Sequence, residues 1–345
     1  MLKYYVPIFC ILLLISSCNQ KAQNNLERSK TNINENWSYL EKNSEDIEAI
    51  KNQENWININ LPHTWNNEDV TDNEPGYRRS SSWYKKMLTI ENVVPNQHYL
   101  LYFEGSNITT KVYVNGKEAG EHIGGYIGFT IDITDYIKNG ENELLVHVDN
   151  GYDPHVIPSQ KSDFFIYGGI TRDVWLVTKP ETHIGKVQVQ TPEVSEKNAS
   201  LKLTIPVEIL NNISGLSLKV ALVNPIGIEV TTKTIESIKN INEILISDIQ
   251  NPKLWDTKNP NLYSVIISLK KDKKNIDEVS EKVGFRWFEF EKNGPFYLNG
   301  KRLLLRGTHR HEEHAGVGAA VSNDQHRKDM EQMKGMGVNF IRLAH

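Results

Sequence analysis

Ionisable side chains gather in two short runs near the end of the sequence, and their types could bind and polarise a substrate. The first run is His309-Arg310-His311-Glu312-Glu313-His314, and the second contains Arg342 and His345. Imidazole and carboxylate groups transfer protons and accept hydrogen bonds, and a guanidinium donates hydrogen bonds to oxygen atoms. Two such runs, each following an apolar segment, predict a binding or active site.

The pair His309 and His311 also has a spacing that suits metal chemistry. Metal-dependent hydrolases place a His-x-His pair after the first strand of their barrel, where the imidazoles bind zinc or a similar ion. The segment His311-Glu312-Glu313-His314 does not match the zinc-protease pattern, because its second histidine comes one residue too early. A metal-dependent hydrolase is therefore one interpretation of the run.

The segments around these residues, from 289 to 345, have the pattern of the opening of a (β/α)8 barrel. The apolar run Leu303-Leu304-Leu305 predicts a strand buried on both faces, and Val338–Leu343 predicts a second strand. Strand, loop, helix and strand form the βαβ unit of such barrels. Active-site groups of a barrel lie at the C-terminal ends of its strands, so both ionisable runs are expected at one face.

A helix is predicted between these two strands. Ser322 is a good N-cap residue, and Gln325 three positions later completes the pattern of a capping box. The helix is expected to end near Gly335 or Gly337, since glycine readily takes the left-handed conformation that follows a helix.

Two β-rich segments precede the barrel, at residues 33–180 and 181–288. The first contains strand-like runs such as Lys111–Val114, followed by Asn115-Gly116, which is a strong hairpin signal. Its regular strand spacing predicts a jelly-roll β-sandwich. The second has about seven short strands in roughly one hundred residues, which predicts an immunoglobulin-like β-sandwich. The expected fold class is therefore mainly β, with two sandwiches followed by the start of a barrel.

The N-terminus has the pattern of a targeting segment. Lys3 precedes the apolar stretch Val6–Ile15, and Ile15-Ser16-Ser17-Cys18 resembles a bacterial lipobox. We expect residues 1–18 to be a signal peptide, Cys18 to carry the lipid, and residues 19–32 to be a polar tether. This predicts a lipid-anchored protein of the bacterial cell envelope. The alternative is an ordinary cleaved signal with an incidental cysteine.

Composition excludes some classes of partner and site. The 345 residues carry a formal net charge of −4 with both signs mixed, so no nucleic-acid partner is expected. Cys10 and Cys18 are the two cysteines, and both belong to the predicted signal segment. The predicted domains therefore contain no thiol for a disulfide or a zinc site.

A series of different short motifs runs along all three segments. They are Leu61-Pro62-His63-Thr64-Trp65, Ser82-Trp83-Tyr84-Lys85-Lys86, Val112–Gly116, Gly168–Leu176, Leu254-Trp255, Asn259–Tyr263, Val283-Gly284-Phe285-Arg286, Phe296–Lys301 and Leu305–Glu312. In this order and spacing they resemble glycoside hydrolase family 2, the β-galactosidase and β-glucuronidase family. The resemblance implies retaining hydrolysis of β-glycosides, with a β-linked oligosaccharide or polysaccharide fragment as the partner.

The resemblance also implies roles for individual residues. Asp163 matches a carboxylate that the sugar-binding domain lends to the active site, and His311 matches a histidine near the sugar ring. Arg342 and His345 match the start of a family signature, in which they would bind hydroxyls or the transition state. His309 stands where galactosidases often have Asn, which weakens any assignment to galactose. No cofactor can be identified, although the full-length enzyme could use a divalent or monovalent metal.

Both catalytic glutamates of the family belong to later barrel strands. We therefore expect this chain alone to be inactive and to derive from a truncated gene or a sequence fragment. The competing interpretation is a lipid-anchored, non-catalytic carbohydrate-binding protein. The metal-dependent hydrolase is less favoured, because such enzymes are not expected to begin with two β-sandwiches. The oligomeric state and the identity of the sugar do not follow from the sequence.

Overall fold

The computed structural model describes residues 28–69, 71–157, 164–210 and 214–343. Strands account for 48% of the described residues and helices for 7%, so the mainly β class is confirmed. The first sandwich consists of β1 Ser29–Asn32, β2 Trp37–Leu40, α1 Ile47–Lys51, β3 Ile57–Ile59, β4 Ser81–Ile90, β5 Gln97–Phe103, β6 Thr109–Val114, β7 Lys117–Ile123, β8 Phe129–Asp132, a 3-10 turn at Thr134–Tyr136, β9 Gly140–Asp149 and β10 Val174–Pro180.

The first sandwich packs a six-stranded sheet, β3-β2-β4-β9-β6-β7, against a four-stranded sheet, β1-β10-β5-β8. Its core contains the large, almost wholly buried side chains of Trp37, Tyr84 and Phe103. The predicted hairpin joins β6 and β7, and Asn115 and Gly116 have φ of 51° and 80°. Positive φ at both positions is what the favoured two-residue hairpin turn requires.

The second sandwich follows directly. Its strands are β11 His183–Ile184, β12 Gln188–Gln190, β13 Asn198–Glu208, β14 Leu216–Val223, β15 Glu229–Ile235, β16 Ile241–Gln250, β17 Tyr263–Lys271 and β18 Lys274–Val283. In one sheet β13 pairs with β11 and β12 and also with β16, and the other sheet has the order β15-β14-β17-β18. Alternating apolar residues from both sheets form one core, as expected for an immunoglobulin-like sandwich.

The remaining elements begin with a three-stranded antiparallel meander and end with a βαβ unit. The meander consists of β19 Phe288–Phe290, β20 Phe296–Leu298 and β21 Lys301–Leu303, and the βαβ unit of β22 Gly307–Arg310, α2 Asn323–Gly335 and β23 Phe340–Leu343. Since β22 and β23 pair in parallel across α2, the predicted barrel opening is confirmed.

The predicted strand at Leu303–Leu305 is wrong. Asn299 and Gly300 have φ of 52° and 70°, so they turn the chain back and commit Lys301–Leu303 to an antiparallel pair with β20. Leu304 and Leu305 lie outside any strand and are 67% and 37% exposed. The first barrel strand therefore starts four residues later than predicted. The turn at Asn299 and Gly300 pairs Lys301–Leu303 with β20, so this part of the chain does not enter the barrel sheet.

The predicted N-cap of α2 is confirmed, but its capping box is not. The Gln325 backbone N–H donates to Ser322 Oγ at 3.2 Å. The Gln325 side chain does not return to Ser322 and donates instead to Asp329 Oδ1 at 2.7 Å. The helix ends at Gly335, and Gly337 follows with φ of 85°. Within the described ranges, no helix combines the length and the apolar composition needed to cross a membrane.

Candidate functional site

A cavity of about 640 Å³ lies between the first sandwich and the start of the barrel. Its walls include Asn107, Phe165 and Arg172 from loops of the first sandwich, and His311 and His326 from the barrel segment. This volume lies in the range of pockets that bind small molecules. Since two domains supply the walls, the cavity exists only when they are held in a fixed relative position.

Buried amides hold the wall that precedes β10. Asn150 Nδ2 donates to the Ile166 carbonyl at 2.9 Å, and the Gly168 N–H donates to Asn66 Oδ1 at 2.7 Å. Thr64 Oγ1 donates to the Gly168 carbonyl at 2.7 Å. Asn66 and Asn150 are fully buried, so these bonds form away from water and fix the backbone of the wall.

Two glycines allow close approaches at this wall. Gly169 has φ of 127°, and a Cβ there would lie 2.5 Å from the His63 carbonyl oxygen. Gly318 has φ of 52°, and its Cβ would lie 2.7 Å from Cε1 of Tyr167. A side chain at either position would combine backbone strain with a steric clash. The loop after β22 can therefore pack directly on the Tyr167 ring.

Side-chain hydrogen bonds connect the barrel segment to the first sandwich. Arg172 Nη2 donates to Glu312 Oε2 at 3.0 Å, and the Tyr167 hydroxyl donates to Glu313 Oε2 at 2.6 Å. Asn323 Nδ2, in the first turn of α2, donates to Asp173 Oδ2 at 3.1 Å. Burial and the neighbouring Glu313 carboxylate raise the pKa of Tyr167, so its hydroxyl stays protonated and remains a donor.

Arg310 anchors β22 to α2. Its Nε and Nη2 donate to Asp329 Oδ2 at 3.0 and 2.6 Å, and Nη2 also lies 2.9 Å from His326 Nδ1. The hydrogen bonds from Arg310 lower the pKa of Asp329. Burial, reinforced by the Arg310 charge, lowers the pKa of His326, which favours a neutral imidazole that accepts from Arg310. The strand and the helix are thereby joined at the cavity wall.

The structure describes two of the four predicted sugar-binding residues. His311 follows β22 directly and lines the cavity, whereas Arg342 lies in β23, where it pairs with His309. The two residues thus belong to the ends of neighbouring parallel strands, and Leu343 beside Arg342 reaches the cavity wall. Asp163, His345 and the predicted lipidation site Cys18 lie outside the described residues. The roles of all these residues stay predictions.

The histidine pair does not extend to a larger cluster in the described ranges. The rings of His309 and His311 are 6.0 Å apart between centroids and nearly perpendicular. Among residues 28–69, 71–157, 164–210 and 214–343, no group of three or more His, Cys, Asp or Glu side chains is placed to hold a metal ion.

Sequence reasoning missed the residues that join the two domains. Arg172 belongs to the motif Gly168–Leu176, and Glu312 and Glu313 belong to the first ionisable run, so each was visible as part of a pattern. Their pairing was not visible, since Arg172 and Glu312 are 140 positions apart, and Tyr167 and Glu313 are 146 apart. No local pattern connects residues at such separations.

Comparison with known families accounts for nearly the whole chain. Residues 15–180 match the sugar binding domain of glycosyl hydrolases family 2. Residues 182–286 match the glycosyl hydrolases family 2 domain, and residues 290–345 match the TIM barrel domain of the same family.

Individual relatives show the same relationship. A Formosa agariphila protein with a provisional beta-glucuronidase name is 56% identical over 344 residues, covering 100% of this chain and 41% of that protein. A beta-galactosidase of Thermoanaerobacter pseudethanolicus is 32% identical, covering 92% and 44%.

Among solved structures, Bacteroides uniformis beta-glucuronidase 2, covalently bound to cyclophellitol-6-carboxylate aziridine, has a TM-score of 0.83 at 32% identity. That match covers 92% of this chain and 40% of the solved chain. The chain thus spans less than half the length of these relatives.

Proposed function

Because the chain belongs to glycosyl hydrolase family 2, we propose that it supplies the sugar-binding part of an enzyme that hydrolyses β-linked glycosides. The observation that carries this proposal is the cavity between the first sandwich and the barrel segment, with His311 in its wall. A sugar in this cavity would meet groups from both domains. Hydrolysis would then depend on the first sandwich as well as on the barrel.

For the substrate, we infer a β-glucuronide. The 56% identical Formosa agariphila relative has a beta-glucuronidase name. The ligand of the Bacteroides uniformis enzyme contains a carboxylate, as a glucuronide does. The second candidate is a β-galactoside, which is favoured by the Thermoanaerobacter pseudethanolicus relative. Both sugars carry ring hydroxyls at C2, C3 and C4. They differ in the configuration at C4 and at C6, which is a carboxylate in the glucuronide and a hydroxymethyl group in the galactoside.

The mechanism proposed is retention through two glutamates about 5–5.5 Å apart, one acting as nucleophile and one as acid/base. In this family both glutamates would come from later barrel strands. The part played by this chain is to bind and orient the sugar: Asp163 would accept hydrogen bonds from its hydroxyls, while His311, Arg342 and His345 would donate to it. Such groups accelerate the reaction where their bonds strengthen in the transition state.

The deciding experiment compares two lengths of the protein. The protein carried through a complete barrel and the 345-residue chain are each assayed with aryl β-glucuronide and aryl β-galactoside. We expect turnover by the longer protein, with the glucuronide preferred, and none by the 345-residue chain. Turnover by the short chain would contradict the placement of the glutamates. A longer protein that binds sugar without hydrolysing it would support the non-catalytic binding protein instead.

The role of Asp163 has its own test in the longer protein. Removing a carboxylate that accepts sugar hydroxyls should lower kcat/KM by about 10²-fold in Asp163→Ala, since hydrogen bonds to charged groups contribute about 1.5–3 kcal/mol. Circular dichroism checks that the fold is intact. A wild-type kcat/KM would show that Asp163 does not bind the sugar.

We further propose that Cys18 is lipidated and that the protein is anchored in the bacterial cell envelope. The support is the apolar stretch Val6–Ile15, followed by the lipobox-like residues up to Cys18. Mass spectrometry of the N-terminal peptide from cell membranes should find a diacylglyceryl thioether on Cys18. In Cys18→Ser the lipid and the membrane fraction should both be lost. A soluble wild-type protein with a free thiol at Cys18 would refute the anchor.

A further inference from the structure

Two consecutive carboxylates after β22 reach different residues of the first sandwich. Glu312 accepts from Arg172 at 3.0 Å, and Glu313 accepts from the Tyr167 hydroxyl at 2.6 Å. Both follow His311 within two positions, so the backbone that bears His311 is held immediately beside it. The two contacts differ in setting. The Arg172 side chain is 42% exposed, whereas Tyr167 is 5% exposed, although its acceptor Glu313 is itself exposed.

The two donors therefore differ in exposure, whereas both acceptor carboxylates reach solvent. An ion pair between exposed groups contributes little, because water screens the charges and two long side chains lose freedom. A buried hydroxyl that donates to a carboxylate forms a stronger, charge-assisted bond. We therefore expect the short Tyr167–Glu313 hydrogen bond, whose donor is buried, to contribute to the attachment of the loop alongside the Arg172–Glu312 pair.

Tyr167 itself is firmly placed. Its carbonyl accepts from Asn107 Nδ2 at 2.6 Å, and the next residue, Gly168, is held by Asn66 and Thr64. Its ring packs closely against Gly318 of the loop that follows β22. The hydroxyl is thus a fixed point on the first sandwich, and the position of Glu313 follows from it.

We propose that Tyr167 and Glu313 are positioning residues for sugar binding. Their hydrogen bond holds the segment from His311 to Glu313 against the first sandwich and keeps His311 at the cavity wall. Both residues line the cavity, and the role assigned to them is to hold His311 in place, not to bind the sugar. This inference rests on the proposed glycosidase function, because it assigns the pair a task in substrate binding.

The test removes one oxygen atom. In the protein carried through its barrel, Tyr167→Phe keeps the ring and deletes the hydroxyl. Losing one hydrogen bond to a charged group should lower kcat/KM for the preferred aryl glycoside about tenfold, mainly through a higher KM. In the 345-residue chain, the same change should speed amide hydrogen exchange at residues 311–318, because that loop loses its attachment.

Two further variants separate positioning from general stability. Glu313→Gln keeps an acceptor for the Tyr167 hydroxyl and should retain most of the kcat/KM that Glu313→Ala loses. Tyr263→Phe removes a buried hydroxyl that accepts from the Lys253 N–H at 2.9 Å in the second sandwich, far from the cavity. It should lower the melting temperature without changing kcat/KM.

The outcomes are distinct. Wild-type kcat/KM in Tyr167→Phe, or equal losses in Glu313→Gln and Glu313→Ala, would overturn the positioning role. Unchanged hydrogen exchange at 311–318 would also overturn it. A wild-type protein with a complete barrel and no glycosidase activity would instead overturn the proposed function, and the exchange experiment would still decide whether the bond holds the loop.

Discussion

The two sandwiches have similar architectures but different interiors. The second sandwich is held by one apolar core, which contains Leu203, Val265 and Phe285 among its fully buried members. The first has an apolar core as well, and in addition it buries polar side chains on its cavity side. Among the described residues, these buried polar groups include Thr64, Asn66, Ser106, Asn107, Asn150 and Thr171.

This difference shows how a sandwich acquires a binding wall. Apolar packing fixes strands, but it does not fix the backbone of loops that leave the sheet. Buried amides do fix such loops, since each unsatisfied group would cost about 1–3 kcal/mol. The second sandwich does not line the cavity, and its buried amide Asn242 holds a turn at Lys239 instead. The comparison predicts that mutations in the two interiors will have different consequences.

The largest expected effect is on the apolar core of the second sandwich. Phe285 is fully buried and packs edge-to-face on Tyr263. Phe285→Ala should lower the free energy of unfolding by about 3–5 kcal/mol, through lost burial and the cavity left behind. Urea denaturation measures the free energy of unfolding, and hydrogen exchange at β17 shows whether the second sandwich is the part that is destabilised. Exchange at β9 in the first sandwich is the control and should stay as in the wild type. A loss below 1 kcal/mol would mean that the core repacks.

The next effect is the pH dependence that His63 gives to the first sandwich. Burial lowers the pKa of His63 to about 4 from its ordinary 6.5. The unfolded chain therefore takes up this proton at higher pH than the folded chain does. The free energy of unfolding is therefore highest above pH 6.5, where His63 is neutral in both states. It falls as the pH drops from 6.5 toward 4, by up to about 3 kcal/mol.

Unfolding of the wild type and of His63→Phe between pH 7 and 4 tests this dependence. The wild type should lose more stability than the variant over this range. Burial also lowers the pKa values of His147 and His183, so the difference between the proteins is the measurement, not the wild-type slope alone. Parallel pH profiles would contradict the assignment to His63.

A smaller effect is expected from the buried amides, and here the two sandwiches offer a matched pair. Asn150 donates to the Ile166 carbonyl and accepts from the Ser80 N–H at 2.9 Å. Asn150→Ala should cost about 2–3 kcal/mol by leaving these groups without partners. It should also weaken sugar binding, because Ile166 lies between Phe165 and Tyr167, which line the cavity.

Asn242 is the control in the second sandwich. It accepts from the Lys239 N–H at 2.9 Å and donates to the Lys239 carbonyl at 2.6 Å. Asn242→Ala should cost a similar free energy of unfolding but leave sugar affinity, measured by calorimetry, unchanged. If both variants lose affinity equally, the buried amides of the first sandwich have no special role at the wall.

The smallest effect concerns α2. Ser322→Ala removes the N-cap that accepts from the Gln325 N–H, which should cost about 1 kcal/mol. Amide exchange at the first turn of α2 should rise, while exchange in both sandwiches stays unchanged. Ser322→Asp, which preserves the cap, should behave as the wild type. No difference between Ala and Asp would show that packing, not the cap, fixes the start of this helix.

Local patterns predicted much of the fold. Asn115-Gly116 fixed a hairpin because both positions favour positive φ, and Ser322 marked the start of α2. The Leu303–Leu305 strand failed, because apolar character alone cannot say which partner a strand will take. The capping-box prediction failed for a related reason: the Gln325 side chain donates to Asp329, one helical turn further along the chain.

The candidate site was less accessible to prediction. His311 was found because a family pattern places a histidine there, and the structure does put it at the cavity. The attachment through Tyr167 and Glu313 had no such pattern behind it. Long-range pairing depends on how the two domains pack together, and the spacing of residues within either segment does not predict that packing.

The separation of these partners along the chain has a consequence for the second sandwich. A flexible linker between Tyr167 and Glu313 would impose an entropic cost that grows with its length. A folded domain in that place holds the two ends at a set distance and raises their effective concentration. The second sandwich therefore sets the distance between the first sandwich and the barrel segment. Inserting a few glycines after β10 should leave every domain folded. It should reduce the fraction of molecules in which the first sandwich and the barrel segment are held together around the cavity.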